Sequence, residues 1–388
     1  MRIGLLYPVR NPLDPRNWSG TPYGLSRGLA SQGITVVPLA ADVPHGLHEM
    51  VAVLSRVTGR RGAVMDRMPV RNLARTLILA RRLSQAAPLD AVVAMGTEMY
   101  DLATVIPTGV PCATYDDGTL KQMWDHPGSD IRSGDFPPHH VRRWIRRQSD
   151  SSRAASVCCV STQWAARSFA DDYAIPRDRI AVVGMGHRPR SAAAGDKDWS
   201  KPTFLFVGVD WQRKNGARVL EAFSRVRERV PAATMHVVGE HPLIDAPGVV
   251  DHGFLPKDNA ASQEVLDRLY AVATCFVLPS KFDPSPISYL EAASAGIPVI
   301  ATPFGGAGEL LGRGAWTVDP SDSGSIAEAM VRLSAPQQAR AMGEAAAQVA
   351  ATASWTNVAG RILDALSATA STTGAGSVSG GSRAGTTS

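Results

Sequence analysis

Short runs of consecutive apolar residues alternate along this chain with longer segments in which apolar positions recur every three or four residues. The first pattern is that of strands buried on both faces, the second that of helices packed on one side. In the first half, strands are predicted at residues 3–7, 34–39, 91–95, 112–115, 155–160 and 180–183. Helices are predicted over 23–31, ended by Gly33, over 73–85, and from a cap at Ser161 through residue 172. Residues 188–201 mix proline, alanine, glycine and charge without either period and read as a linker. A second series follows, with strands at 203–207, 234–238, 249–250, 275–278, 298–301 and 315–318 and helices over 217–230, 262–272, 287–295, 325–333 and 337–351.

Strands alternating with helices predict parallel sheets, so the fold class is α/β, with two facing Rossmann-like domains and an interdomain cleft. The first domain covers residues 1–187 and the second 202–354, and a helix over 355–366 is expected to return to the first domain. Residues 367–388 are almost all Ser, Thr, Gly and Ala, which bury too little apolar surface to offset ordering entropy, and read as a disordered tail. Ligands of open parallel sheets bind beyond the carboxyl ends of the strands, which places one shared site in the cleft.

Composition narrows the partners. No apolar run approaches the roughly 20 residues of a membrane span, and the N-terminus has no basic-then-apolar leader, so the expected location is the cytoplasm. Four cysteines without a C-x-x-C pair read as buried thiols in strands rather than disulfides or a zinc site. The 40 Lys and Arg against 35 Asp and Glu give a net charge of +5, carried mostly by arginine, which suits an anionic ligand, a membrane surface or nucleic acid equally. Aromatics at only 6% and the lack of a zinc or RNP-like motif argue against nucleic acid. Residues 71–83 and 141–153 are arginine-rich and partly amphipathic. Peripheral contact with the inner face of a membrane would follow if their apolar faces were exposed, but the preferred reading packs them on the sheet with arginines in solvent.

The candidate chemistry sits at strand ends. The loop after the first strand has no G-x-G-x-x-G, which weakens a dinucleotide-dependent dehydrogenase. Its Gly20, ahead of a helix, either presents backbone N–H groups to a phosphate or merely permits the turn. After the strand at 203–207, Arg213 and Lys214 place two adjacent cations just before a helix, suited to a diphosphate and to the charge it gains as a leaving group. Read alone, such a pair is ordinarily a solvated surface. Asp283 and Glu291 lie eight positions apart, the first in a loop and the second inside the next helix, where a carboxylate can accept from a vicinal diol. Gly305 and Gly306, followed by Glu309, can bring backbone against phosphate. No Asp-x-Asp stands in a strand-end context.

In this order the motifs resemble the retaining GT-B glycosyltransferases of the group usually called family 4, most closely over residues 204–320. The pair Arg213-Lys214 corresponds to that family's cation pair, Asp283 and Glu291 to its E-x7-E signature, and Gly305, Gly306 and Glu309 to its Gly-Gly-x-x-Glu. The resemblance implies transfer of a sugar from a nucleotide-diphosphate-sugar, a UDP- or GDP-sugar first of all, to an acceptor hydroxyl, with retention and without metal or other cofactor. By similarity Arg213 and Lys214 hold the diphosphate, Glu291 the ribose, Asp283 the donor sugar, and Phe254 lies along the base. The Gly20 loop closes near the phosphate, and the first domain brings the acceptor, a glycan or small natural product among the candidates. At the carboxyl end of the strand at 112–115, where the family often has histidine, Asp117 is chosen as the site residue, set against a turn-forming pair beside Gly118. His126 is the neighbouring imidazole, for which a loop or core role is preferred.

The chain departs from the family at Asp283, one methylene shorter than glutamate, and at Pro284 and Pro286, which stand where glycine is common. Proline lacks an N–H, so backbone donation to sugar or phosphate falls to Ser285 or Ile287. The rival reading within enzymes is a GT-B nucleotide-sugar epimerase. Acceptor identity lies in the loops at 11–19 and 45–67, whose composition does not choose among sugar, lipid, peptide or small molecule.

Overall fold

A computed structural model of the chain describes residues 1–41, 43, 67–190 and 197–375. Most of the loop at 45–67, the centre of the predicted linker and residues 376–388 of the predicted tail lie outside the described residues.

The first sheet has six parallel strands in the order β2-β1-β3-β4-β5-β6: β1 (Arg2–Tyr7), β2 (Thr35–Ala40), β3 (Ala91–Ala94), β4 (Cys112–Asp116), β5 (Val157–Val160) and β6 (Ile180–Val182). Helices α1 (Thr21–Ser31), α2 (Pro69–Ala86), α3 (Leu120–Asp125), α4 (Pro138–Ala154) and α5 (Gln163–Asp171) accompany it, with single helical turns at Leu102–Val105 and Asp130–Ser133. The second sheet repeats the plan in the order β12-β11-β10-β7-β8-β9: β7 (Thr203–Val207), β8 (Thr234–Val238), β9 (Val249–Asp251), β10 (Cys275–Val277), β11 (Val299–Ala301) and β12 (Ala315–Thr317). It carries α6 (Gly216–Arg229), α7 (Ala260–Val272), α8 (Ile287–Ser294), α9 (Ser323–Arg332) and α10 (Pro336–Thr352). The α/β class and the two-domain plan are those expected.

The central strands of both sheets are buried because helices cover both faces, while the edge strands β2, β6, β9 and β12 are partly exposed. In β4, β5 and β10 this extends to all four cysteines, which are buried free thiols. Burial pushes each thiol up, Cys158 to about 11. In each sheet the first strand has neighbours on both sides, β1 between β2 and β3, and β7 between β8 and β10. The connections leave those points in opposite directions, so the loops beyond them part and open a crevice. The loop after β1, the loop after β7 and the loop after β10 all face the interdomain cleft.

The chain crosses between domains twice, near residues 187–190 and again at 353–355. The two crossings touch, with His187 Nδ1 2.7 Å from the Ala353 carbonyl oxygen. Helix α11 (Trp355–Ala375) then lies on α1. It packs Val358, Ala359, Ile362 and Leu366 into the core of the first domain beside Ile3, Leu5, Leu25 and Leu29. The helix continues through Ala375 where a tail was expected from 367, since alanine, serine and threonine extend a helix once packing has nucleated it. Gly24 and Gly28 of α1 make the close approach possible: a Cβ at Gly28 would stand 2.2 Å from the Trp355 carbonyl oxygen.

Three local readings change. Thr162, not Ser161, caps α5, accepting from the Ala165 N–H, while Ser161 bonds across the cleft. The segment read as a linker is anchored at both described ends, Arg190 being buried and Lys197 donating to the carbonyl of Ala271 at 2.8 Å. The two arginine-rich helices also differ from each other. Helix α4 buries Val141 and Trp144 and turns its arginines to solvent as expected, whereas α2 buries Arg71 and Arg75 and exposes Leu73 and Leu77, each 60% accessible.

Candidate active site

The cleft between the domains encloses about 950 Å³. On the second-domain wall, the turn after β7 is compressed: Gly239, at φ 145°, lies so near the Gly208 carbonyl that a Cβ would stand 1.8 Å from its oxygen. Asn215, at φ 67°, then reverses the chain into α6, its amide donating to the carbonyls of Pro279 (3.1 Å) and Pro320 (2.6 Å). This ties the β7 turn to the β10 loop and sets Arg213 and Lys214 against Asp283. Lys214 Nζ donates to Asp283 Oδ2, and Arg213 Nη1 lies 3.4 Å from the same oxygen, with its Nε 3.3 Å from Asp210 Oδ2. Burial lowers the Lys214 ammonium, opposed by the charge of Asp283. The arrangement sets two adjacent cations against the Asp283 carboxylate, with Asp210 pairing Arg213 from the other side.

Helix α8 begins just beyond, with Pro286 as its N-cap and no side chain capping it. Ser285, Ile287 and Ser288 line the cleft, so the first N–H groups of the helix and the positive end of its dipole face the same space as the cations. Glu291, one turn on, is oriented from behind. Arg190 donates to its Oε1 at 2.9 Å and to Asp267 Oδ1 at 2.7 Å, and Tyr270 donates to its Oε2 at 3.4 Å. The Arg190 side chain is 2% accessible, so this is a desolvated, multiply bonded ion pair that fixes Glu291 rather than a surface contact. Phe254, half exposed, lines the cleft beyond Gly253, which turns at φ 61°. Gly305 and Gly306 do not line it. They lie behind the Asp283 loop, where Cβ atoms would stand 2.1 Å from the Asp283 carbonyl oxygen and 2.3 Å from that of Pro284. Glu309 reaches the other domain, accepting from the Trp164 N–H at 2.8 Å and from Arg167 at 2.5 Å.

The first-domain wall is built on the end of β4. Thr119 caps α3 in a reciprocal box with Gln122, which pins the preceding Asp116-Asp117-Gly118 turn. Asp117 lies in the cleft and accepts from the Trp18 indole N–H at 3.2 Å. Burial pushes its carboxyl up to about 7, the indole bond opposing the rise. Asp116 is buried beside it, bonded to the Gln148 amide at 3.2 Å, and burial with the nearby Glu98 carboxyl pushes it up to about 8. Glu98 pairs with Arg67 at 3.1 Å. Trp18, Ser19 and Gly20 all have left-handed backbone, at φ 40°, 56° and 93°, and Lys257 of the second domain donates to the Ser19 carbonyl at 2.8 Å. Strain of this kind persists only where surrounding contacts hold it. His126 is not on the cleft wall: its ring lies 4.7 Å from that of Phe282 and 5.0 Å from that of Phe304, an interdomain packing role. Among the described residues no group of three or more His, Cys, Asp or Glu could hold a metal ion.

Residues 201–335 match the model of the family described as Glycosyl transferases group 1. The matched segment takes in most of the second domain and contains Arg213, Lys214, Asp283, Glu291 and both glycines. Over 150 residues the chain is 31% identical to the GDP-mannose-dependent alpha-(1-6)-phosphatidylinositol monomannoside mannosyltransferase of Mycolicibacterium smegmatis, covering 34% of this chain and 39% of that protein. Over 211 residues it is 28% identical to the glycogen synthase of Mycobacterium tuberculosis, covering 50% and 47%. The chain thus spans less than half the length of these curated relatives. Two solved structures match nearly end to end: WaaG, a glycosyltransferase involved in lipopolysaccharide biosynthesis, and the sucrose-phosphate synthase of Thermosynechococcus elongatus. The first has a TM-score of 0.63 at 17% identity, covering 94% of this chain and 99% of that one, and the second 0.64 at 14%, covering 95% and 99%. At these identities the likeness is one of fold, and that fold is GT-B.

Beyond the matched segment, sequence reasoning missed Trp18, Arg67, Glu98, Asp116 and Gln148 on the first-domain wall, and on the approach to it Arg190. Asp116 carried a signal, as the last inward-facing position of an otherwise apolar strand. Arg190 carried none, because its partners Asp267 and Glu291 are 77 and 101 positions away.

Proposed function

We propose that the chain is a glycosyltransferase that moves a sugar from a nucleotide-diphosphate-sugar to an acceptor hydroxyl, with retention of anomeric configuration and without a metal ion. One observation carries this reading: Arg213, Lys214 and the uncapped start of α8 face one cleft together with a carboxylate fixed at Glu291, with Asp117 on the opposite wall. The cations and the α8 N–H groups take the diphosphate of a UDP- or GDP-sugar, Glu291 accepts from the ribose diol, and Phe254 lies beside the base. Asp283 shares Lys214 with the diphosphate and accepts from the donor sugar. Gly305 and Gly306 act indirectly, by letting the Asp283 loop sit close.

As the bond from the anomeric carbon to the phosphate oxygen breaks, negative charge grows on the diphosphate, and the fixed cations favour that state over the ground state. The acceptor oxygen then bonds to the anomeric carbon from the same face. Its proton passes to the departing phosphate, giving the glycoside and a nucleoside diphosphate. Asp117 holds donor-sugar hydroxyls on the first-domain side and offsets positive charge on the ring.

The test is calorimetry with UDP, GDP, ADP and TDP, followed by nucleotide release from the matching nucleotide-sugars. Arg213→Ala is expected to lose nucleotide affinity and about 10²–10³ in turnover. Asp117→Asn is expected to keep nucleotide affinity and lose turnover. Equal loss of affinity in both variants, or no binding of any nucleotide by the unaltered protein, would defeat the assignment.

A further inference from the structure

The first half of helix α2 is inside out relative to its sequence pattern, while the second half buries Leu79 and Leu83. Arg71 and Arg75 are buried, while Val70, Leu73 and Leu77, which share one face at helical spacing, are 42%, 60% and 60% accessible. The same face continues one turn on with Arg81, followed by Arg82, both exposed. Across residues 97–105 stands α4, whose outer face carries exposed Arg142, Arg143 and Arg146, none of which makes an ion pair among the described residues. The two helices flank the same segment, 97–105. Asp101 joins them, its N–H donating to Thr76 of α2 at 2.9 Å and its carboxylate lying 3.4 Å from Arg147 of α4. An apolar stripe of two turns on one helix and a strip of exposed arginines on the other thus lie on helices that both pack against residues 97–105.

We propose that α2 and α4 form a docking surface for an anionic lipid bilayer. Three large apolar side chains in water on one helix face gain by entering the acyl boundary, and arginines one helix away meet lipid phosphates at the same depth as the snorkelling Arg81 and Arg82. A soluble anion would account for the arginines but leave Leu73 and Leu77 in water. The surface also communicates with the cleft. Arg67, immediately ahead of α2, lines the cleft while its guanidinium stacks 5.3 Å from the Trp144 ring of α4. A membrane on this face brings lipid headgroups to the rim of the first-domain wall, the side from which an acceptor enters if the transferase reading holds.

The experiment is co-sedimentation of the full chain with vesicles of phosphatidylcholine alone or mixed with phosphatidylglycerol, alongside nucleotide binding by calorimetry. Binding to the mixed vesicles alone is expected. Leu73→Ser with Leu77→Ser should lower partitioning about 100-fold, and Arg142→Glu with Arg143→Glu and Arg146→Glu at least about 100-fold. Both variants should bind nucleotide as the unaltered protein does, which shows that they fold. Equal sedimentation with both vesicle types, or an arginine effect with no leucine effect, would overturn the proposal, the latter in favour of a soluble polyanion. So would a concentration-dependent dimer abolished by the leucine changes. Nucleotide binding tests the transferase reading separately, so vesicle binding without it would sink that reading and leave this one standing.

Discussion

Replacing Asp116 by asparagine should change how stability depends on pH more than it changes stability itself. Asp116 is buried at the end of β4, and burial, with Glu98 adding to it and the Gln148 amide opposing it, moves its carboxyl from 3.8 to about 8. Below pH 3.8 folded and unfolded chains both hold the proton. As pH rises toward 8 the unfolded chain releases it and the folded chain does not, so stability falls by up to about 1.4 kcal/mol per pH unit. Above 8 the loss is complete, at most about 6 kcal/mol. Asparagine has no proton to release, and its Oδ1 keeps the Gln148 bond, while its extra N–H group adds a pH-independent cost of about 1–3 kcal/mol. The stability of Asp116→Asn relative to the unaltered protein should therefore climb steadily between about pH 5 and pH 8 and level off beyond. Guanidinium unfolding at a series of pH values, read by tryptophan fluorescence, measures that difference. A difference that is flat across this range, or that falls, would refute a retained proton on Asp116.

Asp117 has the same sign over a narrower window, closing at about 7, and its control is the indole of Trp18. Trp18→Phe removes the bond that lowers Asp117, so the acid limb of the pH–rate profile should move upward with nucleotide affinity unchanged; a limb that stays in place would mean Trp18 does not govern this carboxyl. Glu309→Gln weakens the bridge to Trp164 and Arg167, an interaction partly open to solvent and so worth about 0.2–1 kcal/mol. Small-angle scattering should show a modest rise in radius of gyration with the fold intact, and no change would locate domain closure elsewhere. Gly28→Ala forces a Cβ against the Trp355 carbonyl and should destabilise the first domain by about 1–3 kcal/mol in thermal melts.

Much of the fold was legible because its strands are buried on both faces, and β7, β8 and β10 fall within a residue of their apolar runs. The site was legible where chemistry is local. Arg213 and Lys214 are adjacent and Asp283 and Glu291 share one loop and helix, so their spacing could be read without a fold. What stayed hidden is set by contacts between distant segments. Arg190 looked like linker because its carboxylates come from α7 and α8. Gly305 and Gly306 looked like a phosphate cradle because sequence does not say whether a small residue faces a ligand or a neighbouring backbone. Helix α2 was misread because amphipathicity predicts that arginines face water, and tertiary placement of Arg71 and Arg75 overrides that expectation.

The return of α11 to the first domain sets an order of events during synthesis. Val358, Ala359, Ile362 and Leu366 complete a core whose other members lie between Ile3 and Val183. A growing chain therefore has the whole second domain available to fold before the last piece of the first domain leaves the ribosome. Until then α1 presents a stripe of Gly24 and Gly28 with nothing seated on it. The first domain is thus the last to be finished although it is the first to be made, and a chain cut after residue 354 would keep the cation pair while lacking the helix that closes the opposite wall's support.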